Sequence, residues 1–503
     1  MRTLIPRSLL FPLLFFIAVA AGAQDVASFE KAITVKKLPN GLTVLIMERP
    51  EAPVVSFFTH VDAGSAQEGP GITGLAHMFE HMAFKGTNEI GTTNYAAEKL
   101  ALAKVESAFA AYQRENLKEG GRDPAKVEQV EKAWKDAVEK ANEFVKPNEF
   151  GEIVESHGGA GMNANTDLDD TTYFYSFPEN RLELWAYLES ERFLHPVFRE
   201  FYKERDVVRE ERRMRIESSP QGQLVEALDS TAFAAHPYKN SPAGWASDIE
   251  SLRATDAEAF YKRYYGPSNL TIGIAGDVNP AEAKKLAEKY FGRIPARPAP
   301  PLVDTVEPPQ NGEKRVMVAS PAQPFLVIAY KRPDQYSKDN AALDVLEQIL
   351  SGGRTSIIYK EMVRDKKIAL GAASYATYPG GKYPSLFLFF VVPNSGHTVE
   401  EMEKSVYEIV DRVKKEKPDA AALQRVKINL RASLIQKLDS NSGLAAELCS
   451  YQAGYGDWRK LFTELDEYNQ VTAEDVQRVA QKYLLESTRT VVYTYTPGKG
   501  DAK

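Results

Sequence analysis

The chain has 503 residues, 62 basic against 69 acidic side chains, a formal net charge of −7 and a hydrophobic share of 43%. That length predicts about two to four domains; the balance excludes a collagen-like, disordered or multi-span membrane protein and argues against a nucleic-acid binder, which carries a basic face. A single cysteine, Cys449, excludes an intrachain disulfide and a Cys-rich zinc site, so any metal must be held by histidines and carboxylates.

Residues 1–23 read as a secretory signal peptide. Arg2 and Arg7 precede the apolar run Leu9–Ala20, and Ala21-Gly22-Ala23 is a small-residue cleavage site. The run is too short to span a bilayer, which takes about 20 residues. An exported, periplasmic protein with no membrane anchor after cleavage is the expectation. The absence of disulfides suits a bacterial periplasm.

Beyond the signal the pattern is α+β. Ile33–Leu38 and Leu42–Met47 are strand-like runs joined by the turn Pro39-Asn40-Gly41, and Val54–Val61 is a third. A helix is predicted over Leu75–Phe84, stopping at Lys85-Gly86-Thr87. Residues 95–147 read as an inserted, peripheral helical hairpin, Tyr95–Leu117 and Pro124–Phe144, broken at Gly120-Gly121. A strand over Thr171–Phe177 and helices over Arg181–Phe193 and Phe198–Ser218 follow. The prolines between 292 and 312 mark a stiff linker at 297–312. It separates a first domain, 28–296, from a second, 313–497. The second repeats the first in outline: paired strands Arg315–Ala319 and Phe325–Tyr330, a helix Asn340–Leu350 stopping at Gly352-Gly353, and a closing helix-then-strand like the one after Tyr265. Two similar α+β domains in tandem are predicted.

The chemistry concentrates in His77-Met78-Phe79-Glu80-His81. On a helix, positions i and i+4 share a face with i+3 beside them, so two imidazoles can grip one ion while Glu80 faces its open position. This is the inverted zincin pattern H-x-x-E-H, with zinc as the metal and Glu80 as general base. A third ligand is needed, and the acidic helix around 204–211 supplies it. Glu204 and Glu211 lie two turns apart on one face, but spacing alone does not choose among Glu204, Glu210 and Glu211. His60, His157, His195, His236 and His397 form no ligand spacing and read as structural or surface residues.

The segments AGSAQEGPGITGLAHMFEHMAFKGT, GGAGMNANTDLDDTTYFYSF and ERDVVREE resemble the pitrilysin and insulinase group of zinc peptidases. The two-domain form is similar to mitochondrial processing peptidase and its bacterial relatives. The resemblance implies an α/β-sandwich in each domain, a sheet covered by helices. It implies one zinc per chain on His77, His81 and Glu211, with Glu80 as base, Glu204 as an auxiliary acid that orients the site, and Glu210 as the runner-up ligand. It also implies that the segment Gly158–Ala164 is an edge strand that holds an extended peptide through Gly159, Asn163 and Ala164. Phe79 is expected to line a pocket for the residue after the cut bond, a core position being the equal alternative.

Aligning the two helix stops places Leu343, Leu346 and Glu347 opposite His77, Glu80 and His81, so the second half has no zinc motif. The resemblance implies an arginine and, seven residues on, a tyrosine from the domain facing the zinc. Here Arg364 is present but Gly371 stands at the tyrosine position, with Tyr375 four residues further on. A homologous partner subunit lacking the motif is therefore expected, or else a homodimer. A metalloendopeptidase acting on peptides or unfolded segments is the leading reading; a non-catalytic assembly subunit and a zinc carrier are the alternatives.

Overall fold

The computed structural model describes residues 31–497, so the predicted signal segment 1–23 lies outside them. Strands β1 (Ile33–Lys37) and β2 (Thr43–Glu48) form the expected antiparallel hairpin, Ile33 opposite Met47. Its turn is fastened from outside: the Asn40 amide donates to the carbonyls of Phe291 and Ile294 at 2.8 and 2.9 Å. With β3 (Val54–Val61), β4 (Ala160–Thr166), β5 (Thr171–Pro178) and β6 (Leu270–Gly276) the hairpin builds a six-stranded sheet, ordered β1-β2-β6-β3-β5-β4. Only β2–β6 is parallel. β4 is therefore an edge, most of its residues exposed or half-buried.

The second sheet contains β7 (Lys314–Ala319), β8 (Leu326–Arg332), β9 (Ala369–Tyr378), β10 (Ser385–Pro393) and β11 (Arg489–Tyr495), ordered β7-β11-β8-β10-β9. The expected pairing of β7 with β8 does not occur. β11 returns from the end of the chain and lies between them, parallel to β7 and antiparallel to β8. The order matches β2-β6-β3-β5-β4, so the second sheet repeats the first without its hairpin strand β1.

The halves exchange cover. The outer face of the first sheet (Leu45, Met47, Ala275) is buried by Leu444, Leu448 and Cys449 of the helix Asn441–Tyr455, together with Trp458. That helix lies so close that a Cβ at Gly273 of β6 would stand 2.6 Å from the Ala445 carbonyl oxygen. Reciprocally, Leu224 and Leu228 of the helix Pro220–Ala232 pack on Val327, Ala329 and Val492 of the second sheet. Burial of this apolar area is the main force joining the halves, and it crosses the proline-rich connection.

The helical pair Tyr95–Asn116 and Pro124–Asn142 forms where predicted. Its charged composition conceals an aromatic seam. Phe109 and Trp134 pack on Tyr202, Tyr112 stacks on Trp134 behind them, and the Arg205 guanidinium sits 5.0 Å from the Phe109 and Tyr202 ring centres. Tyr202 and Arg205 belong to the helix Phe201–Arg212, which carries Glu204 and Glu211, so the pair braces that helix.

Candidate metal centre

The motif helix spans Leu75–Met82, shorter than predicted because the chain turns out after Ala83 towards Gly86. Its amino end is capped from a distance: the buried Glu68 carboxylate accepts from the amides of Gly74 and Ala76 at 2.8 and 2.7 Å. Gly74 adopts φ +87°, a left-handed conformation that favours glycine.

One group of His, Asp, Glu or Cys side chains with converging ligand atoms occurs among the described residues: His77, His81 and Glu211, all within 4.8 Å of one another. The two Nε2 atoms are 3.3 Å apart, the separation that two ligands at about 2.05 Å from a tetrahedral zinc require. Glu211 Oε2 lies 3.7 Å from His77 Nε2, and its Oε1 lies 3.9 Å from His81 Nε2. Glu211 Oε2 and His77 Nδ1 are buried and accept or donate no hydrogen bond; Arg215 Nη2, 3.2 Å from that oxygen, is an ion-pair neighbour only. A buried acceptor that receives no hydrogen bond is costly, and a cation held by Glu211 would relieve it beside the Arg215 ion pair. Burial, then the neighbouring His81, lowers the His77 pKa to about 3, keeping the neutral imidazole that binds metal. The donor set and its spacing fit zinc.

Glu204 stands behind His81, with Oε2 3.4 Å from Nδ1, while Lys85 Nζ holds its other oxygen at 2.5 Å. Burial opposes the Glu204 anion, but the hydrogen bonds from His81 and Lys85 outweigh it and pull its pKa to about 2. A carboxylate on Nδ1 turns the Nε2 lone pair towards the cluster. Glu80 is half-buried beside the ligands. Burial raises its pKa, partly offset by Thr166, whose hydroxyl donates to Oε2 at 2.5 Å. Glu210 points to solvent and pairs with Arg213 at 2.8 Å, away from the cluster.

These groups face a cavity of about 560 Å³ that is also lined by Asn163, Ala164 and Thr166 of β4 and by Phe84 and Arg215. Three sequence expectations differ from this arrangement. Phe79 is 1% exposed and packs on Tyr265, Tyr261 and Phe198, so it is a core residue; Phe84 is the aromatic that lines the cavity. Gly159 precedes β4, and a Cβ there would come 2.4 Å from Val154 Cγ1, so helix packing requires the glycine. Arg364 does not line the cavity; it pairs with the adjacent Asp365 at 2.6 Å and its side chain is 55% exposed.

The second-half register also shifts by one residue. Gly353, not Gly352, takes the left-handed φ, as Gly86 does. The burial pattern agrees: Leu343 and Leu346 are core residues, while Asp344, Glu347 and Gln348 are half-buried like Glu80 and His81. Asp344, Glu347 and Gln348 are thus the counterparts of His77, Glu80 and His81. They keep carboxylates but offer no imidazole, and no metal-ligand group forms there among the described residues. Sequence reasoning did not single out Glu68, Thr166 or Lys85. Lys85 in the helix stop, beside the acidic stretch around 200–204, was the available signal.

The insulinase (peptidase family M16) model matches residues 43–117 and 137–244, leaving out within that span the turn of the helical hairpin and most of its second helix. The peptidase M16 inactive-domain model matches 251–430. The zinc protease PqqE of Helicobacter pylori is 28% identical over 493 residues, 96% of each chain. The crystal structure of a protease from Helicobacter pylori is similar with a TM-score of 0.77 at 28% identity, over 92% of this chain and 99% of that one. The periplasmic protease PqqL from Escherichia coli shares the fold (TM-score 0.67, 17% identity), over 93% of this chain and 48% of that one.

Proposed function

The chain belongs to the pitrilysin/insulinase-type family of peptidases, and from that premise we propose that it is an exported zinc metalloendopeptidase cutting peptides or unfolded segments. The observation that carries this reading is the convergence of His77, His81 and Glu211 within 4.8 Å, with Glu80 beside them. A scaffold or a zinc carrier has no use for a half-buried carboxylate at that place. The inactive-domain match falls on 251–430, away from the motif.

A zinc ion on His77, His81 and Glu211 supplies Lewis acidity and brings the ionisation of a water near neutral pH. The residues do the rest. The β4 edge takes the substrate as an added strand, its main-chain groups bonding the peptide with little sequence demand, with Asn163 and Ala164 at the cavity. Glu80 removes the proton of the attacking water and delivers it to the leaving amine. Thr166 fixes one Glu80 oxygen, and among the described residues none donates a hydrogen bond to the other. Glu204, held by Lys85, orients His81.

Among the described residues the cations that line the cavity, Lys85, Arg212 and Arg215, all belong to the first half, and the second half brings none to stabilise the developing oxyanion. Arg364 and Tyr375 are both exposed and neither lines this cavity, so in this reading they serve the site of another chain. A homologous subunit lacking the zinc motif, or a second copy of this chain, closes the site in this reading. The E. coli chain, matched over 48% of its length, has room for a second such unit. Export rests on the 1–23 segment and on the likeness to a periplasmic protease; no helix among the described residues is long and apolar enough to cross a membrane. The test is cleavage of a quenched peptide by the purified chain before and after chelation. Cleavage that is lost on chelation and restored by zinc is expected; cleavage indifferent to chelation would overturn the reading.

A further inference from the structure

Arg199 lies just ahead of the helix Phe201–Arg212 and is 1% exposed. Its Nε and Nη2 donate to the two oxygens of Glu98 at 2.7 and 3.1 Å. Its Nη1 donates to the carbonyls of Lys85 and Ile90 at 2.6 and 2.9 Å, and Nη2 also to the carbonyl of Thr87 at 2.6 Å. A guanidinium has five N–H groups, and every one is engaged. Lys85 and Thr87 follow the motif helix, and Glu98, fully buried, belongs to the first helix of the hairpin. One side chain therefore ties the end of one ligand-bearing helix to the start of the other, and both to the hairpin.

The turn is shaped to receive it. A Cβ at Gly91 would stand 2.7 Å from Arg199 Nη1, and one at Gly86 would stand 2.3 Å from the Ile90 oxygen and 3.0 Å from Nη1. Both glycines have left-handed φ, +89° and +87° for Gly86 and Gly91. On the solvent side, Lys85 reaches Glu204 and so His81.

We propose that Arg199, held by Glu98 of the hairpin, is a positioning residue for the metal centre: it sets the separation of the His77–His81 helix from Glu211 and thereby the affinity for zinc. Ligand distances in a metal site lie within about 0.2 Å of their ordinary values, so the separation of the two ligand-bearing helices matters. Groups that orient ligands from behind typically change metal affinity about 10–100-fold when removed. A buried ion pair with no such role would alter stability alone.

The inference rests on the zinc reading above. Its test compares full-length wild type, Glu98→Gln and, as a control, Asp339→Asn, which removes an ion-pair hub of the second half. Zinc affinity of the metal-stripped proteins is measured by competition with a chromogenic chelator, and ligand geometry by the visible spectrum of the cobalt(II) form. Glu98→Gln is expected to weaken zinc binding about tenfold or more and to change the cobalt spectrum, with Asp339→Asn like wild type in both. A folded Glu98→Gln protein with wild-type affinity and spectrum overturns the proposal. So does an equal loss in Asp339→Asn, which would make the effect one of general stability. If Glu98→Gln does not fold, Glu98→Asp, which keeps the charge but withdraws it from the guanidinium, is judged by the same two readouts. Wild type that binds no zinc would remove the metal reading itself, whereas tight binding by wild type and variant alike removes only the role of Arg199 and Glu98.

Discussion

Gly273→Ala probes the exchange of cover between the halves. The new Cβ would stand 2.6 Å from the Ala445 carbonyl oxygen and 2.8 Å from Cys449 Sγ. The first contact is backbone, so the helix Asn441–Tyr455 must move off the sheet to relieve it. Overpacking of this kind costs about 1–3 kcal/mol. Replacing a strand glycine returns about 0.5–1 kcal/mol of conformational entropy. The net expectation is a destabilisation centred on about 1 kcal/mol, within about 0–2.5 kcal/mol. At about 2–4 °C per kcal/mol for a domain of 150–250 residues, thermal unfolding should fall by a few degrees. Adding Cys449→Ala removes the sulfur contact but not the carbonyl one, so the double variant should recover part of the loss. Unfolding followed by circular dichroism with all four proteins completes the cycle. A Gly273→Ala protein more stable than wild type would mean that the second-half helix does not lie on the first sheet as described.

Glu211→Gln should lose most bound zinc, while Glu210→Gln, which breaks only a solvent-facing pair with Arg213, retains it; metal analysis of both decides the third ligand. Asp339 is held near a pKa of about 2: burial opposes its anion, but Lys482, Tyr483 and Arg478 outweigh it. A depressed carboxyl stabilises the fold above its ordinary pKa and loses that contribution as pH falls towards 2. Asp339→Asn should therefore flatten the fall in unfolding temperature between about pH 4 and pH 2. The purified chain should need a second subunit for full activity, and light scattering of the active species settles whether that subunit is another copy; full activity from a homogeneous monomer would contradict it.

The motif was legible because i, i+3 and i+4 on a helix fix three side chains on one face with no tertiary information. Most strand runs were legible for the same local reason. The pairing of β7 with β8 was misread because the strand between them, β11, lies at the other end of the chain. Phe79 illustrates a second limit: an aromatic inside a helical motif has the same periodicity whether it meets a pocket or the core. The second-half register turned on which of two adjacent glycines adopts the left-handed φ, which the residue pair Gly352-Gly353 does not reveal. In the hairpin, Lys and Glu dominate the composition, so the few aromatics and the buried Glu98 that tie it to the metal centre had no visible signal.

The most direct test of a zinc centre with Glu80 as its base is a paired measurement on Glu80→Gln: metal content and peptide turnover of the same preparation. About one zinc per chain in both wild type and variant, with turnover lost by orders of magnitude in the variant, is the predicted result. Comparable turnover by Glu80→Gln, or a wild-type chain that cleaves peptide without bound metal, would contradict it.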